Sequence, residues 1–437
     1  MTNTMMKKTL FLLFLLAGGQ AHAVLDIKIT QGMEQALPIA VIPFATDIPD
    51  GDVLPVDMHV TIANDLSRSG RFKPMDVADM PQRPHRFQDV NFSDWRLLGM
   101  ENVLLGNIKR MENGNYEIQF RLVDIYSGSQ IAGFRIPAAK NQLRRTAHRI
   151  SDIVFEKLTG TPGAFDTRIA YVTVQKENDG KKLFALQIAD ADGFNPKVLL
   201  ESSEPLMSPA WSPDGRKLAY VSFEGKNSSI YIQDITTGGR ERVAAHEGIN
   251  SAPAFSPDGT RLAMTLSRDG NPEIYILHLS GKRLQRVTRN RSIDTEPFWS
   301  PDGARLAFTS DRGGSPQIYE VTLRDGSVKR LTFDGQYNAR PRYSPDGRFI
   351  TMVHGNQGNY RIAIKRTEGG YPDVLTRGSQ DESPSFAPNG SMIIYATSGR
   401  GGSELAAVSA DGRVHQRLAL QEGEVREPAW GPFQSSP

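Results

Sequence analysis

Four aspartates, Asp214, Asp258, Asp302 and Asp346, recur in the tetrapeptide Ser-Pro-Asp-Gly. Six aromatic residues, Trp211, Phe255, Trp299, Tyr343, Phe386 and Trp430, stand just ahead of that site or its variants. A ring of carboxylates is the group type that holds cations or trades protons, and a ring of aromatics could form a stacking surface. Repetition argues against both. Proline pre-sets the first central position of a turn, aspartate suits the second, and glycine tolerates the left-handed backbone that follows. The aspartates therefore read as turn formers, and aromatics at one fixed repeat position read as packing between neighbouring repeats.

Other chemistry is not written in the chain. There is no Gly-x-Ser-x-Gly elbow, no His-Glu-x-x-His pair among the eight histidines and no cysteine for zinc. Neither a P-loop nor a dinucleotide-binding glycine pattern occurs. The stretch from Asp190 to Gly193 resembles a calcium loop faintly but lacks the remaining ligands, so it reads as a strand-connecting turn. No catalytic residue, metal ligand or cofactor is expected. Two rival readings are an enzyme working in a channel and a carbohydrate-binding module. The first would want a His-plus-carboxylate cluster and the second exposed aromatics at the recognition surface.

The elements that carry these turns form a repeat. The proline after each aromatic falls at Pro213, Pro257, Pro301, Pro345, Pro388 and Pro432, at intervals of 44, 44, 44, 43 and 44 residues. Each turn is followed by short alternating runs such as Lys217 to Ser222, Ser229 to Ile235 and Arg240 to Ala244. Four antiparallel strands in a period of this length make one propeller blade. The last copy, Pro428 to Phe433, stops where its strands should begin. Matching strands lie at the other end of the region, from Arg168 to Ser202. The C-terminal strand is thus expected to close a six-bladed β-propeller spanning residues 166–437.

Ahead of the ring, residues 24–165 lack the repeat and read as a small α/β domain. It should contain a strand at Pro38 to Phe44, a helix within Val56 to Phe72 stopped by Gly70, and two strands joined by Met111 to Asn115. A second helix is expected from Asn141 to Gly160. With 437 residues, two domains suit the length. The fold class is α+β multidomain. The first 23 residues have the form of a secretory signal: Lys7 and Lys8, an apolar run from Thr9 to Gly18, and Ala21 to Ala23 before the cut. That run is about half of the roughly 20 residues needed to span a bilayer, so no membrane span is expected. The mature chain should start at Val24, in the periplasm. It carries 49 basic and 49 acidic residues, a balance with no long-range pull toward nucleic acid.

Recognition should sit where the repeats disagree. Just before the proline that opens each innermost strand stand Met207-Ser208, Ser251-Ala252, Thr295-Glu296, Ala339-Arg340, Glu382-Ser383 and Arg426-Glu427. All six pairs should ring one mouth of the channel. Scaffold needs are equal there, yet the side chains vary, so this rim is free to bind a partner. A second candidate is Val24 to Met33, where Leu25, Ile27 and Ile29 alternate with Asp26, Lys28 and Thr30, ahead of Gln31 and Gly32. It is either the first strand of the α/β domain or a detachable strand that adds to a partner's sheet edge.

Taken together, "FEKLTGTPGAFDTRIAYV", "LMSPAWSPDGRKLAYVSFE" and "DTEPFWSPDGARLAFTSD" resemble the TolB family, the periplasmic component of the bacterial Tol–Pal envelope system. The resemblance covers essentially the whole mature chain. It implies no catalysis. It implies binding of the lipoprotein Pal at the propeller mouth, and of the inner-membrane protein TolA through the mature N-terminus. The family's colicin-binding role uses the same mouth. By motif, the Pal side falls on Met207, Ser208, Ala252, Thr295, Glu296, Glu382 and Arg426, and the TolA side on Val24 to Met33. Two positions depart from the family pattern: Ile249, and Ala339-Arg340 in place of an acidic pair. Coupling between the two sites is expected, so that Pal at the rim shifts the balance of the N-terminal segment between its own domain and TolA.

Overall fold

The computed structural model describes residues 36–47, 54, 56–176, 180–399, 402–418 and 423–434. The expected signal and the segment Val24 to Met33 lie outside the described residues.

Residues 36–159 build one mixed sheet covered on both faces. Leu37–Val41 pairs in parallel with Phe72–Pro74 and with Asn102–Arg110, and the sheet continues antiparallel through Tyr116–Asp124 and Ser129–Ala138. The short strand Ala45–Asp47 also pairs with Asn102–Arg110. Helix Met58–Arg68 starts where Asp57 Oδ1 accepts the Val60 N–H, and it buries Met58, Ile62 and Leu66 at helical spacing. Helix Leu143–Thr159 buries Leu143, Ala147, Ile150 and Val154 and ends on Gly160 at φ +74°. Both helices pack on one face of the sheet with Ile39, Phe120 and Leu122. The other face is covered by Trp95 from the short helix Phe92–Leu97.

Sequence reasoning missed that helix and the strand Ser129–Ala138, whereas the first helix stops where Gly70 was expected to stop it. The helix stops at Arg68, and Phe72 lies in a strand. Gly70 is the stop for two reasons. Its φ is +69°, and a Cβ there would lie 2.2 Å from a methyl of Val414 in the propeller, so only glycine lets the domains close up.

From Arg168 the chain forms six four-stranded sheets. Blades 1 to 5 are consecutive, with innermost strands Leu206–Trp211, Asn250–Phe255, Asp294–Trp299, Tyr337–Tyr343 and Glu382–Phe386. Blade 6 is composite, as the truncated repeat requires. Its innermost strand is Glu424–Trp430, paired with Arg168–Lys176, and Lys182–Asp190 and Lys197–Ser202 complete it. Tryptophans of the aromatic series stitch blades together: Trp211 Nε1 donates to the Ala429 carbonyl at 3.0 Å and Trp299 Nε1 to Ala254 at 3.0 Å, while Trp430 Nε1 ties the closing strand to Thr167 Oγ1, at the entry to its own blade, at 2.9 Å.

The repeated aspartates are consumed in their turns. Ser212 Oγ donates to Asp214 Oδ1 at 2.6 Å while accepting the Lys217 N–H at 2.9 Å, and Arg216 N–H donates to the same carboxylate. The turns lie at the ends of the innermost strands, opposite the rim pairs at their starts. The N-terminal domain docks on that turn side. In the fifth repeat Asn389 replaces aspartate. Its oxygen holds the turn through Ser391, and its Nδ2 donates to the Pro162 carbonyl at 2.8 Å. The departure from the repeat is thus a contact between domains.

Candidate functional site

The six rim pairs share one backbone feature. In every blade the innermost strand breaks register at the pair, between Met207 and Ala210, Ser251 and Ala254, Thr295 and Phe298, Ala339 and Arg342, Glu382 and Ser385, and Arg426 and Ala429. The second member of each pair has positive φ: Ser208 52°, Ala252 47°, Glu296 57°, Arg340 55°, Ser383 56° and Glu427 54°. None is glycine. The left-handed region costs an L-residue roughly 1–2 kcal/mol, and bulges of this kind re-aim side chains at functional edges. The six bulges bring their side chains together around the channel mouth.

Half of that mouth is filled by Arg340. Its Nε donates to Glu296 Oε1 at 3.2 Å, Nη2 to Glu427 Oε1 at 3.1 Å, and Nη1 to Ser383 Oγ. Its backbone N–H donates to Glu296 Oε2 at 2.9 Å, and Thr309 Oγ1 donates to that oxygen as well. One guanidinium therefore ties blades 3, 4, 5 and 6. The charge of Glu427, set against burial and joined by Glu296, holds Arg340 protonated far above the ordinary arginine range. The other half, at Ser208 and Ala252, carries only small side chains and stays open.

Outside the ring the surface is two-sided. Met207, Ile249 and Ile293 on blades 1, 2 and 3 are 38%, 45% and 48% exposed, and Met207, Phe223 and Ile249 wall a cleft between blades 1 and 2. Across the mouth Arg426 is exposed and pairs with Glu424 at 2.5 Å, and Glu382 is half-buried beside it. Thr295 is half-buried and its Oγ1 accepts from Thr265. The seven rim residues named from sequence thus lie at one mouth, but not in one state. Met207 and Arg426 face solvent, whereas Glu296 is spent on Arg340 and is not a free rim acid. Sequence reasoning missed Arg340 as a hub, although its mismatch with the family pattern flagged the position.

The TolB beta propeller domain profile matches residues 155–434, and the TolB amino-terminal domain profile matches residues 25–131. The chain is 64% identical over 429 residues, 98% of each chain, to the Tol-Pal system protein TolB of Thioalkalivibrio sulfidiphilus. It is 60% identical to that of Nitrosococcus oceani over 96% of each chain. The chain belongs to the TolB family. The crystal structure of TolB from Acinetobacter baumannii superposes with a TM-score of 0.86 at 42% identity, covering 94% of this chain and all of that one. The relatives carry the name of the Tol-Pal system and not of a reaction. Among the described residues, no helix is long and apolar enough to cross a membrane.

The positive-φ ring makes a stability prediction. Ala252→Gly should stabilise the fold by about 0.5–1 kcal/mol, because relief of the left-handed backbone outweighs the added freedom of the unfolded chain. An urea midpoint that falls on this substitution would show that Ala252 is not held in that conformation.

Proposed function

We propose that the chain is a non-enzymatic periplasmic interaction module of the Tol–Pal system that binds the lipoprotein Pal at the channel mouth. The observation that carries this reading is the asymmetry between the two channel ends. On the turn side the protein's own N-terminal domain packs against blades 4 to 6. The rim side presents a ring of strained, variable side chains beside an exposed apolar arc, the composition of a protein-docking surface. The rival readings lack support there, since the pairs supply neither histidine nor exposed aromatics. Colicin-like toxins would dock on the same surface.

The segment Val24 to Met33 is proposed to pair with TolA. Supporting this, Leu37 donates its N–H to the Arg71 carbonyl at 2.8 Å. Arg71 lines a cavity of about 500 Å³ between the domains, walled also by Phe155, Phe165, Phe349 and Phe386. That cavity would accept an apolar segment when TolA is absent. Coupling the two sites would let the protein hold or release Pal during outer-membrane constriction at cell division.

Met207→Glu tests the mouth in cells. The side chain is exposed and makes no polar contact, so protein level and folding should be unchanged. Cells carrying only this variant should leak periplasmic enzymes and become detergent-sensitive. Intact envelopes at normal protein level would count against the mouth as the Pal surface.

A further inference from the structure

A buried set of charges joins the two domains on the side away from the mouth. His148, on helix Leu143–Thr159, is 2% exposed. Its Nδ1 lies 2.7 Å from Asp65 Oδ2 on helix Met58–Arg68, within the same domain. Its Nε2 lies 3.7 Å from Asp192 Oδ2, which belongs to the propeller turn after Lys182–Asp190. The other charges facing the imidazole are Arg68 on the first helix, Arg144 on its own helix and Asp190 on the propeller. Asp152, one helical turn along, accepts the linker N–H groups of Phe165 and Asp166. His148 Nε2 and Arg144 Nε are buried and make no hydrogen bond; each faces a propeller carboxylate at longer range, Asp192 Oδ2 at 3.7 Å and Asp190 Oδ2 at 3.8 Å.

Two ligand chemistries fit a histidine between two carboxylates. A divalent cation would have to displace two guanidiniums, since Arg68 holds Asp65 at 3.1 Å and Arg144 is bonded to Asp192. A proton displaces nothing. The imidazole faces a carboxylate on each nitrogen, one from each domain. Only the imidazolium has an N–H for both. The neutral ring must turn a lone pair toward one of them, leaving a buried repulsion at the joint.

We propose that His148 is a proton-operated latch between the N-terminal domain and the propeller: charged, it holds the domains together, and neutral, it loosens them. The proposal rests on the joint alone and not on which partners bind. Burial by itself would lower the His148 pKa, but the charge and hydrogen bond of Asp65, with the charge of Asp192, raise it above 6.5. Asp65 belongs to the same domain as His148, so the docking share of this rise is the charge of Asp192; that share favours the docked state while the imidazole is charged and is lost as pH climbs and the ring deprotonates.

The chain has no cysteine, so Glu112→Cys and Arg324→Cys place one spin label on each domain. Both sites are exposed. Electron–electron resonance should give one narrow distance at about pH 6, and a second population grown at least about threefold at about pH 9. His148→Gln should remove that pH response. Asp192→Asn, which leaves the N-terminal domain untouched, should remove most of it and serves where His148→Gln fails to fold. An identical wild-type distribution at both pH values would overturn the latch. So would a pH response that survives in a folded variant.

Discussion

Removal of residues 424–437 is expected to abolish cooperative folding of the propeller. The strand Glu424–Trp430 is the innermost strand of blade 6, and without it Arg168–Lys176 loses its neighbour along the channel. Val425 is 1% exposed, Ala429 accepts from Trp211, and Trp430 bonds Thr167 at 2.9 Å. Truncating a fully buried tryptophan costs about 3–5 kcal/mol, and Trp430, half-buried, supplies part of that. Loss of the whole strand approaches the roughly 5–15 kcal/mol that holds a domain together. It also bares the edge of Arg168–Lys176, which invites association. Near-UV circular dichroism should show no sharp unfolding transition. A synthetic peptide of residues 423–434 added in trans should restore one. A truncated chain that unfolds cooperatively at the wild-type midpoint would show that the ring is closed by other contacts.

Arg340→Leu is expected to destabilise the fold by about 2–3 kcal/mol. Breaking a buried ion pair by removing one partner typically costs about 3–5 kcal/mol. The guanidinium is 24% exposed, and solvent screening brings the figure down. Glu296 and Glu427 would then lose the guanidinium that bonds to both of them. Arg340→Lys should recover less than half of the loss, because an ammonium cannot span Glu296, Ser383 and Glu427 at once. Urea unfolding with an unchanged slope would read the difference directly. A midpoint unmoved by Arg340→Leu would mean that the network carries no net stability.

The propeller was legible because its repeat is written twice, in the turn chemistry and in the period of 44 residues. Even the composite blade followed from counting strands at the two ends. The strand Ser129–Ala138 was harder. Most of it is exposed, with Ser129, Gln130, Gly133, Phe134, Arg135 and Pro137 facing out, so its alternation is broken. The left-handed rim left no local signal either, since the usual marker is glycine or asparagine and this ring uses Ser, Ala, Glu and Arg. What forces the conformation is the register shift against the next strand, a property of pairing. The Arg340 network and the His148 joint are likewise contacts between residues 43 to 87 positions apart. Only the folded ring brings them together.

The most direct measurement is calorimetric titration of the mature chain with the soluble domain of Pal from the same organism. Wild type should be compared with Met207→Glu. The account predicts saturable one-to-one binding that weakens at least about tenfold, or 1.4 kcal/mol, in the variant with folding intact. Equal affinity in both proteins would move Pal away from the mouth. No binding by the wild type would contradict the proposed function itself.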